Sequence, residues 1–341
     1  MKKFLAILML TVMVLTTVIF TGCTANDATT TAPETDDTNA PAEKLKLGLG
    51  SFTTTKASDA TADKAGQGQA TTTIAAVLFD ADGKIVKAFI DCADNTVTYT
   101  ADGKAVAVKE FKTKYELGDA YNMVAYGGAK SEWYKQADAF CKAIEGKSAD
   151  EVKALVADGD KGTDEVISAG CTIMIADFAK AVEKASAAAA ECGASKADTV
   201  KLGVSTTQTT TDATAEKAGS NKVATTFYAA AVDADGKVTA AKSDCIEVSF
   251  TFDITGKSTF DTAKAIKTKG EQGADYNMVA YGGAKKEWFE QAAAFDAATI
   301  GKKASDMAGL MGADNKGVAD IQSAGCTITI EGFVAAAAKI G

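Results

Sequence analysis

Arginine and histidine are absent from all 341 residues, so the 36 basic side chains are lysines, set against 45 acids. Without arginine there is no bidentate clamp for a carboxylate or phosphate. Without histidine there is no Ser-His-Asp or Cys-His catalysis, no imidazole-bound zinc or iron and no histidine-ligated haem. A formal charge of −9 leaves no basic footprint for DNA or RNA, so nucleic acid is excluded as a partner at this stage. Proline is nearly absent too, and both copies, Pro33 and Pro41, lie near the start.

What is present begins with Met1-Lys2-Lys3, an apolar run from Phe4 to Phe20, and Thr21-Gly22-Cys23. A short basic segment, an apolar stretch and small residues before a cysteine read as a bacterial lipoprotein signal, with Cys23 the lipidated residue. The alternative for a run of this length is a membrane-spanning anchor. Either way the body of the protein is expected outside the membrane; on the lipoprotein reading it is extracytoplasmic and anchored to the bacterial cell membrane through lipid. Cleavage before Cys23 removes two lysines and no acid, taking the charge from −9 to −11. Residues 24–44, rich in Thr, Ala, Asp and Pro, have almost nothing to bury and read as a disordered tether.

The rest repeats itself. YNMVAYGGAK at 121–130 returns unchanged at 276–285, and the same offset of 155 carries Trp133 onto Trp288 and SAGCTI at 168–173 onto 323–328. Upstream, DADGK at 80–84 returns at 233–237 and Asp91-Cys92 returns as Asp244-Cys245, at an offset of 153. Collinear blocks of this kind predict two tandem homologous domains, 45–187 and 200–341, joined by a linker at 188–199.

Within each copy the period changes from strand to helix. β-Branched runs flank Asp80-Ala81-Asp82-Gly83, which is hairpin chemistry; the later ligands of a calcium loop are missing. A second hairpin is expected around Asp102-Gly103. Trp133, Ala137, Phe140 and Ile144 fall on one helical face, a core stripe. A shorter helix near SADEVKALVA, an apolar strand CTIMI and a terminal helix from about Asp177 follow. The predicted class is α+β, each domain an antiparallel sheet packed with helices.

Six cysteines lie beyond Cys23, and Cys92 and Cys171 correspond to Cys245 and Cys326. An exported chain permits a bridge within each domain, while small buried thiols are the other reading. No CxxC motif occurs, which argues against a thioredoxin-like redox site.

Two places in each copy are candidate sites. In Tyr126-Gly127-Gly128-Ala129-Lys130, and Tyr281-Gly282-Gly283-Ala284-Lys285, a glycine pair opening a helix can offer backbone N–H groups to an anion; a tight turn with a helix cap is the alternative. In Ser168-Ala169-Gly170-Cys171-Thr172-Ile173, and its copy through Gly325 and Thr327, small residues allow close approach of a ligand, and the threonine hydroxyl can contact a phosphate or be esterified by it.

The order of DGKI hairpin, helix with Glu-Trp, then acid, small residues, Thr and final helix resembles the FMN-binding domain family, which includes exported lipoproteins and a subunit of the sodium-translocating NADH:quinone reductase. In that family a D-x-x-[ST]-G-A-T signature takes FMN through a phosphoester to its threonine. The resemblance implies Thr172 and Thr327 as phosphate-linked or phosphate-contacting residues, with Gly170, Gly325 and the Gly127-Gly128 and Gly282-Gly283 pairs nearby. It implies Tyr126 and Tyr281 as ring contacts. In this chain Val166 and Ile321 stand where the signature has Asp, and Glu165 and Asp320 lie one residue away. The implied function is extracytoplasmic electron transfer with FMN, partnered by redox proteins or quinone-linked donors. The rival expectation is a cell-surface ligand-binding or structural module that has kept the fold and lost the flavin. No carboxylate pair or activated nucleophile stands out for hydrolysis.

Overall fold

A computed structural model describes residues 44–341; the signal segment, Cys23 and the tether up to residue 43 lie outside the described residues. The chain first lays down β1 (Lys46–Ser58), β2 (Gly66–Phe79), β3 (Ile85–Tyr99) and the short β4 (Ala105–Val106). The Asp80–Gly83 turn closes β2 onto β3 with Asp80 N–H donating to Lys84 O and Gly83 at φ 79°, a conformation that favours glycine. Six helices follow: α1 (Lys114–Leu117), α2 (Met123–Gly127), α3 (Trp133–Ala143), α4 (Ala149–Lys153), α5 (Asp164–Ser168) and α6 (Ala176–Ala187). The stripe Trp133, Ala137, Phe140 and Ile144 is buried as its spacing requires. CTIMI, however, is not a strand: only Met174 bridges to Lys161, because Gly170 turns the chain at φ 109° and no neighbouring strand lies alongside.

Residues 188–199 are more than a linker. They carry β5 (Ala190–Glu191), which pairs with the start of β1, and buried Asp198, which accepts from Ser195 and Thr239. The second half then repeats the order with β6 (Thr199–Thr211), β7 (Gly219–Val232) and β8 (Val238–Phe252). Its helices are α7 (Lys269–Gln272), α8 (Trp288–Thr299), α9 (Ala319–Ala324) and α10 (Glu331–Ala337). The sheets are antiparallel, in the orders β4-β3-β2-β1-β5 and β6-β7-β8.

The central strands are apolar on both faces, and this decides the layering. Ala75, Val77 and Phe79 of β2 pack beneath α3 and α6, while Ile74, Ala76 and Leu78 pack against Phe227, Ala229 and Ala231 of β7. Tyr228, Ala230 and Val232 face the helices of the second half. The result is helix, sheet, sheet, helix, with the sheets sharing a core. The described residues 44–341 accordingly form one compact unit, so neither half has a core of its own on its inner face.

Contacts between the halves come in reciprocal pairs. Ala60 N–H donates to Gly256 O and Ala213 N–H to Gly103 O, both at 2.8 Å. Ala105 N–H donates to Asp212 at 2.9 Å and Ser258 N–H to Asp59 at 2.8 Å. Lys184 pairs with Glu271 and Lys339 with Glu116, both at 2.6 Å. Tyr99 stacks on its own counterpart, Phe252, with centroids 4.3 Å apart. These pairs define a pseudo-twofold arrangement.

The terminal helices approach the first strand of each sheet closely at glycine. A Cβ on Gly50 would lie 2.2 Å from Ala185 N, and one on Gly203 would lie 1.9 Å from Ala336 O. All six cysteines among the described residues are free, five of them buried, so these thiols are core residues and no bridge joins Cys92 to Cys171 or Cys245 to Cys326.

Candidate functional site

Each copy of SAGCT is tied to the Trp-bearing helix by a glutamine. Gln136, on α3, is 1 % exposed, and its Oε1 accepts from Thr172 N–H at 2.8 Å and from Thr172 Oγ1 at 2.9 Å. Its Nε2 donates to Ser131 O at 2.9 Å. Gln291 makes the same set: Thr327 N–H at 2.8 Å, Thr327 Oγ1 at 3.1 Å and Lys286 O at 3.0 Å. The residue before each tryptophan adds a second tie. Glu132 accepts from Met123 and Val124 N–H at 2.8 and 3.1 Å, and Glu287 from Met278 and Val279 N–H at 2.9 and 3.2 Å. Glu132 and Gln136 thus fasten the YNMVAYGG loop and the SAGCT loop to one helix. The sequence carries both in a repeated E-W-x-x-Q, of which helical periodicity marks only the tryptophan as a core residue.

The glycine pair does not open a helix. Gly128 caps the C-terminal end of α2 at φ 65°, and α3 starts five residues later with Glu132 as its N-cap. Gly283 takes the same left-handed geometry, φ 64°. The motif is therefore a cap and turn, with carbonyl rather than N–H groups ending the helix. Tyr126 and Tyr281 are each 88 % exposed and line none of the three clefts described below.

Thr172 does reach a cleft, of about 620 Å³. Its floor is the outer face of the first sheet, Thr71, Thr73 and Cys92; Met123, Ile173 and Phe178 form apolar walls; Lys161 and Asp177 add charge. Lys114 crosses it, with Nζ 5.3 Å from the Tyr121 ring centroid, 5.8 Å from that of Trp133 and 3.9 Å from Asp94. Burial works against the charge on Lys114, but Cys92, Tyr121 and Asp94 outweigh it and hold the amine above its ordinary value. Burial pushes the Cys92 thiol up to about 12, so it is no nucleophile. Lys269 repeats the arrangement over Tyr276 and Trp288 at 5.1 and 5.6 Å, paired with Glu247 at 3.0 Å.

The Asp-Cys pairs anchor helices. Asp91 accepts from its own neighbour Cys92 N–H at 2.6 Å and from Tyr115 N–H at 3.1 Å; Asp244 accepts from Thr268 Oγ1 at 2.6 Å and Gly270 N–H at 2.8 Å. Each aspartate is desolvated, and burial raises Asp91 to about 7 against the pull of these donors.

A phosphate-linked flavin does not match these residues. Both donors of Thr172 and of Thr327 go to a glutamine oxygen, and Glu165, the acid beside the signature position, is held by Lys147 at 2.8 Å. Among the described residues no group of three or more His, Cys, Asp or Glu could hold a metal ion. No helix among them is long and apolar enough to cross a membrane. No family model, curated protein or solved structure matches the chain.

Proposed function

We propose that this chain is an extracytoplasmic lipoprotein, anchored through Cys23, whose two tandem homologous domains act as a ligand-binding module rather than as a covalent flavoprotein. The observation that carries this reading is the pairing of an open cleft at Thr172 with a threonine whose N–H and hydroxyl are both committed to buried Gln136. An ester there would cost the hydroxyl bond, and Glu165, the acid beside the signature position, is already paired with Lys147. The cleft combines a polar floor with apolar walls, the arrangement that small-molecule sites use to take an apolar body and orient its polar end. The duplication is supported by the repeated element order and by the reciprocal bonds across the pseudo-twofold axis.

A second reading has FMN bound without a covalent link in the same cleft, where 620 Å³ falls within the range of small-molecule pockets and Lys114 and Lys161 are the cations lining it for a phosphate. Redox partner proteins or quinone-linked donors would then follow. An absorbance spectrum and intact mass of the protein from its own host, followed by titration with FMN, separate the two. The expected result is unmodified lipoprotein mass and no flavin bands. An added mass that disappears in the Thr172→Val, Thr327→Val double variant overturns the binding-module reading, and flavin colour without added mass selects the second.

A further inference from the structure

The pseudo-twofold axis generates two equivalent clefts where the halves meet, and they are not filled alike. One lies between β3, α1 and β6, and it encloses about 190 Å³. There the chain fills its own space: Phe89 and Tyr115 meet with centroids 4.7 Å apart, and the Tyr115 hydroxyl donates to Asp138 at 3.2 Å. The other lies between β8, α7 and β1 and encloses about 470 Å³. Its counterpart of Tyr115 is Gly270, of Phe89 Lys242, and of Asp138 Ala293, so both rings and the carboxylate that held the phenol are gone.

Two further exchanges add polar groups to the emptied space. Cys141 is replaced by Asp296, which is 8 % exposed and accepts from Ser243 N–H at 2.9 Å and from Ser243 Oγ. Val204 is replaced by Ser51, which is 3 % exposed and whose Oγ has no hydrogen-bond partner among the described residues. A buried hydroxyl without a partner is uncommon in a folded protein and is satisfied when a ligand or water supplies one. Trp288 and Phe289 line the same cleft as apolar surface.

The charges in the cleft are unequally available. Lys184 is paired with Glu271, and Lys242 donates to Ala188 O, so both ammonium groups are committed. Asp244 and Asp296 are desolvated carboxyls, and with Glu271 they exceed the two lysines by one negative charge when all are ionised. Burial raises Asp296 to about 7, opposed by Ser243 and Lys242 and reinforced by Asp244, so an incoming cation would favour its ionised form.

We infer that the cleft between the halves at Gly270, Ser51 and Asp296 is a binding site for a small aromatic amine, its ring taking the volume that Tyr115 and Phe89 occupy in the equivalent cleft and its ammonium meeting Asp296. This site is separate from the cleft at Thr172, and the inference does not depend on what that cleft holds.

The test is calorimetric titration of the full-length protein in detergent with tyramine, which carries the phenol ring of Tyr115 on an ammonium tail. Tyrosol, its uncharged analogue, and 3-(4-hydroxyphenyl)propionate, its acidic one, serve as controls. Saturable binding of one tyramine is expected, at least tenfold tighter than tyrosol, with no binding of the acid. Gly270→Tyr, which restores the ring of the filled cleft, should abolish it. A Cβ at Gly270 would lie 2.6 Å from Asp244 Oδ2, so Asp296→Asn, which keeps the volume, and Ser51→Val, which restores the residue of the filled cleft, supply independent variants, each expected to weaken tyramine at least fivefold. No tyramine binding to the parent protein, equal binding of tyrosol or the acid, or tyramine binding unchanged in both Asp296→Asn and Ser51→Val overturns the inference. Loss of FMN binding or its presence in the same samples reports on the Thr172 cleft alone.

Discussion

Replacing Gln136 by leucine tests whether the threonine of SAGCT is a structural tie. The substitution keeps the side chain's approximate volume and removes three hydrogen bonds to N–H and oxygen partners, two accepted from Thr172 and one donated to Ser131 O, together with a weak fourth donated to Met123 Sδ at 3.5 Å. A net contribution of about 0.5–1.5 kcal/mol for each bond gives a loss of about 2–4 kcal/mol. Thr172 is exposed, so water can replace its lost partner, and the lower half of that range is expected. At ~2–4 °C per kcal/mol for a chain of this size, Tm should fall by roughly 4–12 °C.

Thr172→Val removes only the hydroxyl bond and should cost about 1 kcal/mol. Because the two variants share that bond, the double variant should be less destabilised than the sum of the singles, by about 0.5–1 kcal/mol. Urea unfolding of the four proteins closes the cycle. A Gln136→Leu protein within about 0.5 kcal/mol of the parent, or strict additivity, would show that Thr172 does not depend on Gln136 and would remove the argument against an ester at that hydroxyl.

Further outcomes follow from the same structure. Asp91 and Asp296 are both raised to about 7 by burial, so between the unfolded carboxyl value and pH 7 the folded chain binds more protons than the unfolded one, and their contribution to stability falls as pH rises. Asp296→Asn should flatten that decline between pH 4 and 7, by up to about 4 kcal/mol, and an unchanged profile in urea titrations would refute the shift. Gly50→Ala and Gly203→Ala should each cost more than about 3 kcal/mol, since the added carbon meets helix backbone, whereas Gly83→Ala at an open turn should cost about 1 kcal/mol; thermal melts rank them. Lys184→Met should cost no more than about 1 kcal/mol and less in high salt, because the ion pair with Glu271 is partly exposed, and a loss above 2 kcal/mol in denaturant titration would contradict this. Dithiothreitol should leave Tm unchanged, and a thiol reagent should label half-buried Cys192 ahead of the buried five.

The repeat, the hairpins and the core stripe were legible because each rests on local periodicity: DADGK folds as a turn wherever it stands, and Trp133, Ala137 and Phe140 can share only a helical face. CTIMI is misleading because a short apolar run has no period that separates a strand from a buried loop; only the pairing decides, and here it is a single bridge, Met174 to Lys161. YGG misled for a related reason. A glycine pair between helical segments serves the end of one as readily as the start of the next, and the left-handed φ of Gly128 settles that it is an end. Gln136 could be read as a repeated residue but not as a clamp, since its partner lies thirty-six positions away.

The differences between the two copies have structural consequences because the two sheets share a core. Had each half folded as a separate body, the exchange of Tyr115 for Gly270 would leave a hole on an exposed face, open to water and without consequence. Against a common inner layer the same exchange leaves a walled space, because β1 and Lys184 of the other half close it. Truncation of a packed aromatic without refilling costs several kcal/mol in a core. Here the exchange came with four others in the same cleft, at Phe89, Asp138, Cys141 and Val204, and two of the incoming residues, Lys242 and Asp296, carry charge. Relaxed packing would supply apolar residues of smaller volume; it does not supply a buried carboxyl supported by Ser243. The set of exchanges therefore reads as a change of use, in which one copy keeps its aromatic plug and braces the pair while the other holds the space open for an outside ring.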